Sequence, residues 1–384
     1  MLRWKLSALT AALCVLIAAP VSQISAQDKK PIRVTYVVNG TLGDKSFIDS
    51  AQRGLDKAAD EFDMTINTIE LGFDPQNYES GLADAMADTD KYDVLVAGSF
   101  TMLDYMSHRA DMYPDKTFIF YDAPMPYDDK TICKDGCKNV YSVTYSQNQG
   151  SFLAGVYAAA MTTTSLEGIN PDAVIGAIGG QDIPVINDFI VGYEQGACLV
   201  NADSKFLVQY AGGWSDPAKG KEIALSMYDQ KADIVFQVAG GTGEGVFEAA
   251  KEKGTYAIGV DSDQASIIME TDPEQAAHIL TSMQKNVDNS LYRAMQMYVD
   301  GKLPVGTSET LGIAEGGVSL SINDIYKKAT PENVQKLIAA VQDVVVKGDI
   351  QVVTVFAAED KAAKVGKDCS AMPEMKFDVA SFLK

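Results

Sequence analysis

Short apolar runs alternate with helical stretches along most of the chain. Within residues 233–263, an apolar run at 234–238 leads into a glycine-rich turn, a helical stretch closed by Gly254 and a second apolar run that ends at Asp261. Short apolar runs bounded by glycine are typical of buried strands, and a glycine directly after a helical stretch is typical of a helix end. The segment therefore predicts a strand–helix–strand unit.

The same pattern occurs in residues 93–123. Apolar runs at 94–97 and 118–121 enclose a helical stretch, and the second run ends at Asp122. The two units differ in length by one residue, so we interpret them as equivalent parts of two similar α/β lobes. Open α/β sheets bind ligands at the carboxyl ends of their strands. Two such lobes facing each other predict a ligand clamp, with Asp122 and Asp261 at its cleft.

Strands and helices alternate through the rest of the chain, which predicts an α/β fold with two doubly wound lobes joined by a multi-crossing hinge. The 384 residues suffice for two domains of roughly 150 residues each. We expect the N-terminal lobe to comprise residues 31–145 plus 280–303. The C-terminal lobe is expected to comprise 146–279 plus 304–384.

Three crossings between the lobes are predicted, near residues 144–149, 279–282 and 304–309. Past Gly301 the pattern changes, and residues 310–313 and 318–320 are predicted to be the strands of one hairpin. Residues 351–356 are predicted to form a last strand.

Residues 1–26 have the composition of a signal peptide. Arg3 and Lys5 precede an apolar run at 6–19, and the small residue Ala26 offers a cleavage site. The run is shorter than the ~20 residues of a membrane span, so a membrane anchor is the weaker alternative. Lipid anchoring at Cys14 is disfavoured because the residue before it is large. The chain is therefore expected to be periplasmic.

The net charge is strongly negative. It is −20 for the full chain, and removal of Arg3 and Lys5 with the signal peptide would change it to −22. Such a charge argues against nucleic acids and anionic membrane surfaces as partners, although solubility alone also accounts for it.

Four cysteines follow the predicted signal peptide, and exported proteins occupy compartments where disulfides persist. Cys133 and Cys137 flank an Asp-Gly turn that can close a small loop, which leaves Cys198 and Cys369 as a long-range pair. Zinc is the weaker alternative, because structural zinc sites need four ligands and neither of the two histidines lies near these cysteines. We expect no metal and no cofactor.

Five motifs occur in order along the chain: G-D-K-S-F at 43–47, G-S-F-L-A-G at 150–155, A-G-G-T-G-x-G-V-F-x-A-A-K-E at 239–252, I-G-V-D-S-D-Q at 258–264 and T-S-M-Q-K at 281–285. Together they resemble the basic membrane protein family, the substrate-binding proteins of ABC importers that include purine nucleoside receptors. The resemblance implies a type I periplasmic-binding-protein fold, a nucleoside in the cleft and a membrane permease as partner.

Two phenylalanines are candidates for contact with a flat base. Phe47 and Phe247 each lie just inside a predicted helix that follows a glycine turn, one in each lobe. Facing aromatic rings can sandwich a base, at about 1–3 kcal/mol per stacked base. Their helical spacing alone favours core positions, whereas the resemblance implies base stacking.

Three charged residues are candidates for polar contacts. Asp261 and Asp122 end equivalent strands, where a carboxylate can accept hydrogen bonds from ribose hydroxyls or a base N–H. The resemblance implies the ribose for Asp261 and the base for Asp122, whereas loop or cap roles are the alternative. Lys285 is predicted in the first turn of a helix, where a cation opposes the helix dipole. It is therefore either exposed or bonded to a ribose oxygen.

The turns that precede the predicted helices supply the remaining candidate ligand contacts, Asp44, Ser46, Phe100 and Gly241. Gly241 lets backbone N–H groups approach a ligand closely. The chain departs from the family at Ile48, where relatives usually have an asparagine, so one hydrogen bond to the ligand is expected to be lost.

Other functions are less well supported by the motifs. The G-G-T-G-E-G turn lacks the Lys-Ser/Thr of a P-loop, and the aspartates do not cluster as a calcium site requires, so we do not expect an enzyme. A receptor of the same fold for a sugar or a signalling molecule stays open as an alternative. A surface adhesin is disfavoured because polar strand ends fit a small-molecule cleft. We expect a monomer.

Overall fold

Two six-stranded sheets organise the computed structural model, which describes residues 30–358, 363–366 and 369–383. In spatial order, the first sheet contains β11 (Thr307–Leu311), β5 (Val140–Tyr145), β4 (Thr117–Tyr121), β3 (Val94–Gly98), β1 (Ile32–Val38) and β2 (Met64–Glu70). The second contains β12 (Val318–Leu320), β10 (Ile279–Lys285), β9 (Tyr256–Val260), β8 (Ala232–Val238), β6 (Val174–Gly179) and β7 (Lys205–Tyr210).

The strand pairs are parallel except that β12 runs antiparallel to β10. Parallel sheets of this kind are covered by helices on both faces, so their central strands are apolar on both sides. All five residues of β3 and all seven of β8 are buried, as their continuous apolar runs predict. The doubly wound α/β class is therefore confirmed.

The helices that cover the sheets are α1 (Phe47–Phe62), α2 (Tyr78–Ala87), α3 (Leu103–Ser107), α4 (Gln147–Met161), α5 (Pro184–Val200), α6 (Pro217–Asp229), α7 (Glu244–Lys253), α8 (Gln264–Met269), α9 (Pro273–Ala276), α10 (Val287–Val299), α11 (Asp324–Ala329) and α12 (Glu332–Lys347). Helix α4 is buried along nearly its whole length against α5. The contact is close because a Cβ at Gly155 would meet the Tyr193 carbonyl oxygen at 2.0 Å. No helix of the described segments is long and apolar enough to span a membrane.

The chain passes between the sheets three times, at positions that correct two of the predicted crossings. The first lies between β5 and α4, as predicted, because α4 packs against helices and strands of the second lobe. The second follows Lys285, at the end of β10 in the second sheet, rather than residues 279–282. The third follows β11, which pairs with β5 in the first sheet. The predicted lobe boundaries at 280 and 304 are therefore wrong.

The predicted hairpin of residues 310–313 and 318–320 is also wrong, because β11 and β12 belong to different sheets. The polar sequence T-S-E-T-L of β11 suits an edge strand and gives no sign of the sheet that it joins. Residues 351–356 form no strand either. Their backbone is bonded by side chains instead, since Gln195 of α5 donates to the Gln351 carbonyl (3.1 Å) and accepts from the Val353 N–H (2.8 Å).

Each lobe contains one disulfide. Cys133 is bonded to Cys137 in the first lobe, and Cys198 at the end of α5 is bonded to Cys369 in the C-terminal segment. The pairing is the one that the sequence predicts. The predicted signal peptide, with its cleavage site and Cys14, lies outside the described residues.

Candidate ligand-binding site

A cavity lies between the two sheets, at the carboxyl ends of their strands. Its walls from the first lobe are Asn39, Asp44, Phe47, Ile48, Phe73, Ser99, Thr101 and Asp122. Its walls from the second lobe are Ile183, Val185, Ile186, Phe189, Trp214, Val238, Gly240, Gly241, Asp261 and Lys285. The empty space between them is about 740 Å³, which includes the mouth that opens to solvent.

The two strand-end aspartates lie in this cavity with the same local geometry. Asp122 follows β4 with φ 72°, and Asp261 follows β9 with φ 62°. The N–H of each bonds to the neighbouring strand, at Val143 and Met283 respectively. A non-glycine residue with positive φ is uncommon and costs about 1 kcal/mol or more, so such positions often mark functional sites. The predicted equivalence of the two aspartates therefore extends to their backbone.

Lys285 forms a buried ion pair with Asp122 across the cleft. The Lys285 Nζ lies 2.6 Å from the Asp122 Oδ1, and the two side chains are 4% and 8% exposed. The same ammonium lies over the rings of Phe47 at 4.7 Å and Phe189 at 5.1 Å, within the range of cation–π attraction. Burial raises the pKa of Asp122, and Lys285 opposes that rise.

The position of Lys285 corrects its predicted setting. It is the last residue of β10, and the helix after it begins only at Val287. The unfavourable helix-dipole contact therefore does not arise, and the side chain is buried rather than exposed.

Asp261 is bonded to a hydroxyl of the opposite lobe. Its Oδ2 accepts a hydrogen bond from the Ser46 Oγ at 2.6 Å. Burial raises the pKa of Asp261, while Lys285 and the Ser46 hydrogen bond act in the opposite direction. Ser46 itself is fully buried and is not part of the cavity wall. The structure therefore brings Ser46 to Asp261 rather than to the cavity wall.

Asp44 lines the cavity and also caps α1. Its Oδ1 accepts hydrogen bonds from the N–H groups of Ser46 (2.9 Å) and Asp49 (3.1 Å), and its Oδ2 accepts one from Ile48 (3.0 Å). Burial outweighs these bonds and raises the pKa of Asp44 to about 6. Most of its acceptor capacity thus serves the helix start, as is typical of N-terminal caps.

The two predicted stacking phenylalanines have different environments. Phe47 lies in the cavity wall, with its ring centroid 5.2 Å from that of Tyr121. Phe247 is fully buried in the second-lobe core, in one cluster with Ile223 of α6 and Ala257 of β9. The structure therefore does not bring Phe247 to the cavity wall, because the apolar face of α7 on which it lies packs against the sheet.

Phe100 also lies outside this cavity. It lines a neighbouring space on the hinge side together with Leu103 and Phe356, and its side chain is 37% exposed. The residue before it, Ser99, forms the wall of the ligand cavity instead. This turn therefore meets the cavity through Ser99 rather than through Phe100. Gly241 does line the cavity.

Two aromatic residues of the second lobe were not predicted. Phe189 is in α5, where its apolar spacing resembles that of a core residue. Trp214 lies in the loop between β7 and α6, and a Cβ at Gly180 would meet its ring at 2.3 Å, so that glycine makes room for the indole. The available signal was its position beyond the carboxyl end of β7, the location that already indicated Asp122 and Asp261.

A polar group in the first lobe was also missed. The Asn39 side-chain amide donates to the Ser99 Oγ at 3.1 Å and to the Thr101 Oγ1 at 2.9 Å, and all three residues line the cavity. Beside them Ile48 contributes an alkyl wall without hydrogen-bonding groups. Within the described part of the chain, no group of three or more ligating side chains could hold a metal ion. The site therefore offers aromatic faces, hydroxyls, an amide and a buried set of charges.

Comparisons with known proteins agree with this architecture. The family model for PnrA-like ABC transporter substrate-binding proteins matches residues 32–351. The ABC transporter nucleoside-binding protein BmpA of Lactococcus lactis subsp. cremoris (strain MG1363) is 33% identical over 321 residues, which are 79% of this chain and 85% of that protein. Basic membrane protein D of Borreliella burgdorferi (strain JD1) is 30% identical over 298 residues, covering 77% and 80%.

A solved structure extends the comparison to the fold. An ABC transporter solute-binding protein from Aeropyrum pernix K1 has a TM-score of 0.73 and 26% sequence identity, covering 86% of this chain and 95% of that one. The fold is thus the type I fold of ABC solute-binding proteins, which act outside the cytoplasm on small ligands in partnership with a permease. This protein is a substrate-binding protein rather than an enzyme, and it belongs to the family of PnrA-like ABC transporter substrate-binding proteins.

Proposed function

We propose that this protein is the periplasmic receptor of an ABC importer for a neutral purine nucleoside. The observation that carries the proposal is the composition of the interlobe cavity, where aromatic side chains of both lobes accompany strand-end carboxylates. The name of the Lactococcus relative, a nucleoside-binding protein, supports the same ligand class.

The base is expected to contact the aromatic residues. Phe47 comes from the first lobe, whereas Trp214 and Phe189 come from the second. Stacking on such rings contributes about 1–3 kcal/mol per base and is tolerant of base identity. The larger purine ring system gains more from stacking than a pyrimidine, and Asn39, Ser99 and Thr101 offer hydrogen bonds to its edge.

The ribose is expected to contact the charged residues at the strand ends. Asp261 is bonded to Ser46 through one oxygen and can accept a ribose hydroxyl with the other. Lys285 is held by Asp122 and has two more N–H donors for ribose oxygens. A closed, desolvated cleft strengthens each of these hydrogen bonds.

Charge disfavours nucleotides. The cavity wall contains three carboxylates, those of Asp44, Asp122 and Asp261, against the single ammonium of Lys285. A phosphate adds about −1.5 to −2 charges at neutral pH. Placing it beside desolvated carboxylates is unfavourable by several kcal/mol.

Calorimetry with adenosine, guanosine, inosine, cytidine, ribose and AMP tests this function on the mature protein. We expect the purine nucleosides to bind most tightly, with cytidine weaker and with ribose and AMP weakest. Once the signal peptide and its Trp4 are removed, Trp214 is the sole tryptophan, so its fluorescence provides a second measure of ligand entry.

Two results would contradict the proposal. AMP or free ribose binding as tightly as every nucleoside would exclude a neutral nucleoside as the preferred ligand. Ligand binding that leaves the Trp214 emission unchanged would place the ligand away from the interlobe cavity.

A further inference from the structure

We infer that Ser46 is a positioning residue for Asp261, so that the ribose-binding group of the second lobe is completed by a hydroxyl of the first. The inference rests on the proposed function, because it concerns how the site recognises ribose. The inference also goes beyond the proposed function, since it links ribose recognition to the approach of the two lobes.

The contact joins two buried groups from opposite lobes. Ser46 directly precedes α1 and is fully buried, and Asp261 follows β9 and is 7% exposed. The Ser46 Oγ lies 2.6 Å from the Asp261 Oδ2 but 3.5 Å from the Val260 carbonyl oxygen. A bond from a hydroxyl to a carboxylate at this distance is charge-assisted and stronger than a neutral one. The hydroxyl proton is therefore directed to the carboxylate.

Neighbouring contacts hold Ser46 in place from the second lobe. The Ser262 Oγ donates to the Ser46 carbonyl oxygen at 3.2 Å, and the Arg53 side chain donates to the same Ser262 Oγ at 2.8 Å. These bonds fix the backbone of Ser46 relative to β9 and do not involve the carboxylate. The contact between the lobes thus contains two serine hydroxyls. The Ser46 hydroxyl bonds to Asp261, whereas the Ser262 hydroxyl bonds to the Ser46 backbone.

The hydrogen bond has a consequence for the ligand. Ser46 occupies Oδ2 and so fixes the rotation of the carboxylate, which leaves Oδ1 to accept a hydroxyl of the ribose. A group held in its binding geometry before the ligand arrives loses less conformational freedom on binding. When the lobes separate, Ser46 leaves with the first lobe, and Asp261 loses this restraint. Ribose recognition is therefore strongest in the closed cleft.

The test compares Ser46→Ala with Ser262→Ala, which removes an equally small hydroxyl from the same contact between the lobes. Each variant is titrated by calorimetry with adenosine, guanosine and inosine and with their 2′,3′-dideoxy counterparts, which lack the ribose hydroxyls. Loss of a hydrogen bond to a charged group corresponds to roughly a tenfold change in affinity. We expect Ser46→Ala to weaken the binding of ribonucleosides by about this factor and the binding of dideoxynucleosides by less than about twofold.

A double-mutant cycle with Asp261→Ala provides the second readout. If Ser46 acts through Asp261, adding Ser46→Ala to Asp261→Ala weakens ribonucleoside binding no further. Ser262→Ala is expected to affect both ligand classes equally and to add to Asp261→Ala. Thermal unfolding of the ligand-free variants verifies that each is folded.

Equal weakening of ribonucleosides and dideoxynucleosides by Ser46→Ala, or additivity with Asp261→Ala, would overturn the inference. Unchanged affinity in Ser46→Ala would do the same. Failure of the unaltered protein to bind any purine nucleoside would instead overturn the proposed function on which the inference rests. The two failures are therefore distinguishable.

Discussion

The two lobes have equivalent folds but carry different groups at equivalent strand ends. Each presents an aspartate in the left-handed conformation, Asp122 or Asp261. The next strand of the sheet ends in Tyr145 in the first lobe and in Lys285 in the second. Asp122 obtains its cation from across the cleft, while Asp261 receives the hydroxyl of Ser46, also from across the cleft. Neither lobe alone satisfies its own aspartate, so the site is assembled only from both.

The turns after β3 and β8 differ in a similar way. Ser99 and Gly240 both have positive φ, 81° and 55°. In the first lobe the Ser99 side chain accepts a hydrogen bond from Asn39, so that this turn presents polar groups. In the second lobe the turn has no side chain at Gly240 and lies beside the indole of Trp214. The turn after β3 therefore offers polar groups to the cavity, whereas the turn after β8 leaves room for an aromatic face.

Removing the disulfides is expected to give the largest difference between the lobes in the free energy of unfolding. Cys198 and Cys369 are 171 residues apart, whereas Cys133 and Cys137 are four apart. Chain-entropy arguments give about 5 kcal/mol for closing the long loop and about 2 kcal/mol for the short one. Paired alanine substitutions should therefore lower the free energy of unfolding by about those amounts, measured by urea denaturation. Equal losses, or free thiols in the unaltered protein, would contradict this prediction.

The two phenylalanines separate stability from binding. Phe247→Ala should lower the free energy of unfolding by about 3–5 kcal/mol, because it empties a fully buried core position. Phe47→Ala should mainly weaken purine nucleoside binding, by about 1–3 kcal/mol, because its ring lines the cavity. Urea denaturation and calorimetry on both variants check the assignment. A Phe247 variant of unaltered stability would return that ring to the ligand site.

Lys285→Met tests the buried interlobe pair. Removing one partner of such a pair leaves an uncompensated buried charge. We expect the free energy of unfolding to fall by about 3 kcal/mol at neutral pH, and the loss is limited because Asp122 can take up a proton. Lys285 lowers the pKa of Asp122, so its removal raises that pKa further above the unfolded value. The folded variant then binds more protons than the unfolded chain, and its stability recovers as the pH falls through the folded-state pKa.

Urea denaturation at pH 7 and pH 5 measures this recovery. The double variant Lys285→Met/Asp122→Asn is the control, because it removes both charges and should recover much of the stability at neutral pH. A loss in Lys285→Met that is independent of pH would show that Asp122 does not supply the uncompensated charge.

The fold was largely predictable from sequence because most strands and helices show a local pattern of apolar and polar residues that identifies them. Continuous apolar runs identified β3 and β8, and glycine identified the end of α7 at Gly254. Sheet membership was less predictable, because it depends on pairing with distant residues. The strand β11 is polar and β10 shows no clear alternation, so neither reveals its partner. The misplaced lobe boundaries follow from this.

The candidate site was predictable where one rule applied, namely that polar residues at strand ends face the cleft. That rule identified Asp122 and Asp261. Helical spacing alone favours a core position for Phe247, where the structure places it, and only the resemblance made it a ligand candidate. Phe189, which lines the cavity, was missed because apolar spacing in a helix does not distinguish the cavity from the core. Trp214 was missed because its loop has no periodic pattern. The family resemblance indicated which types of residue contact a ligand and roughly where they lie in the chain. Which way each side chain points depends on how the helices pack, and the sequence does not show that.

The partly exposed interlobe pair of Lys45 and Glu244 is expected to give the smallest effect on ligand binding. Lys45 of the first lobe lies 2.5 Å from Glu244 of the second, and their side chains are 35% and 27% exposed. Exposed pairs contribute about 0–1 kcal/mol and are screened by salt. Lys45→Gln should therefore weaken nucleoside binding slightly at low ionic strength and not at high ionic strength, by calorimetry. If Lys45→Gln weakened nucleoside binding as much as Lys285→Met does, or did so independently of salt, the exposed pair would contribute as much to closure as the buried pair.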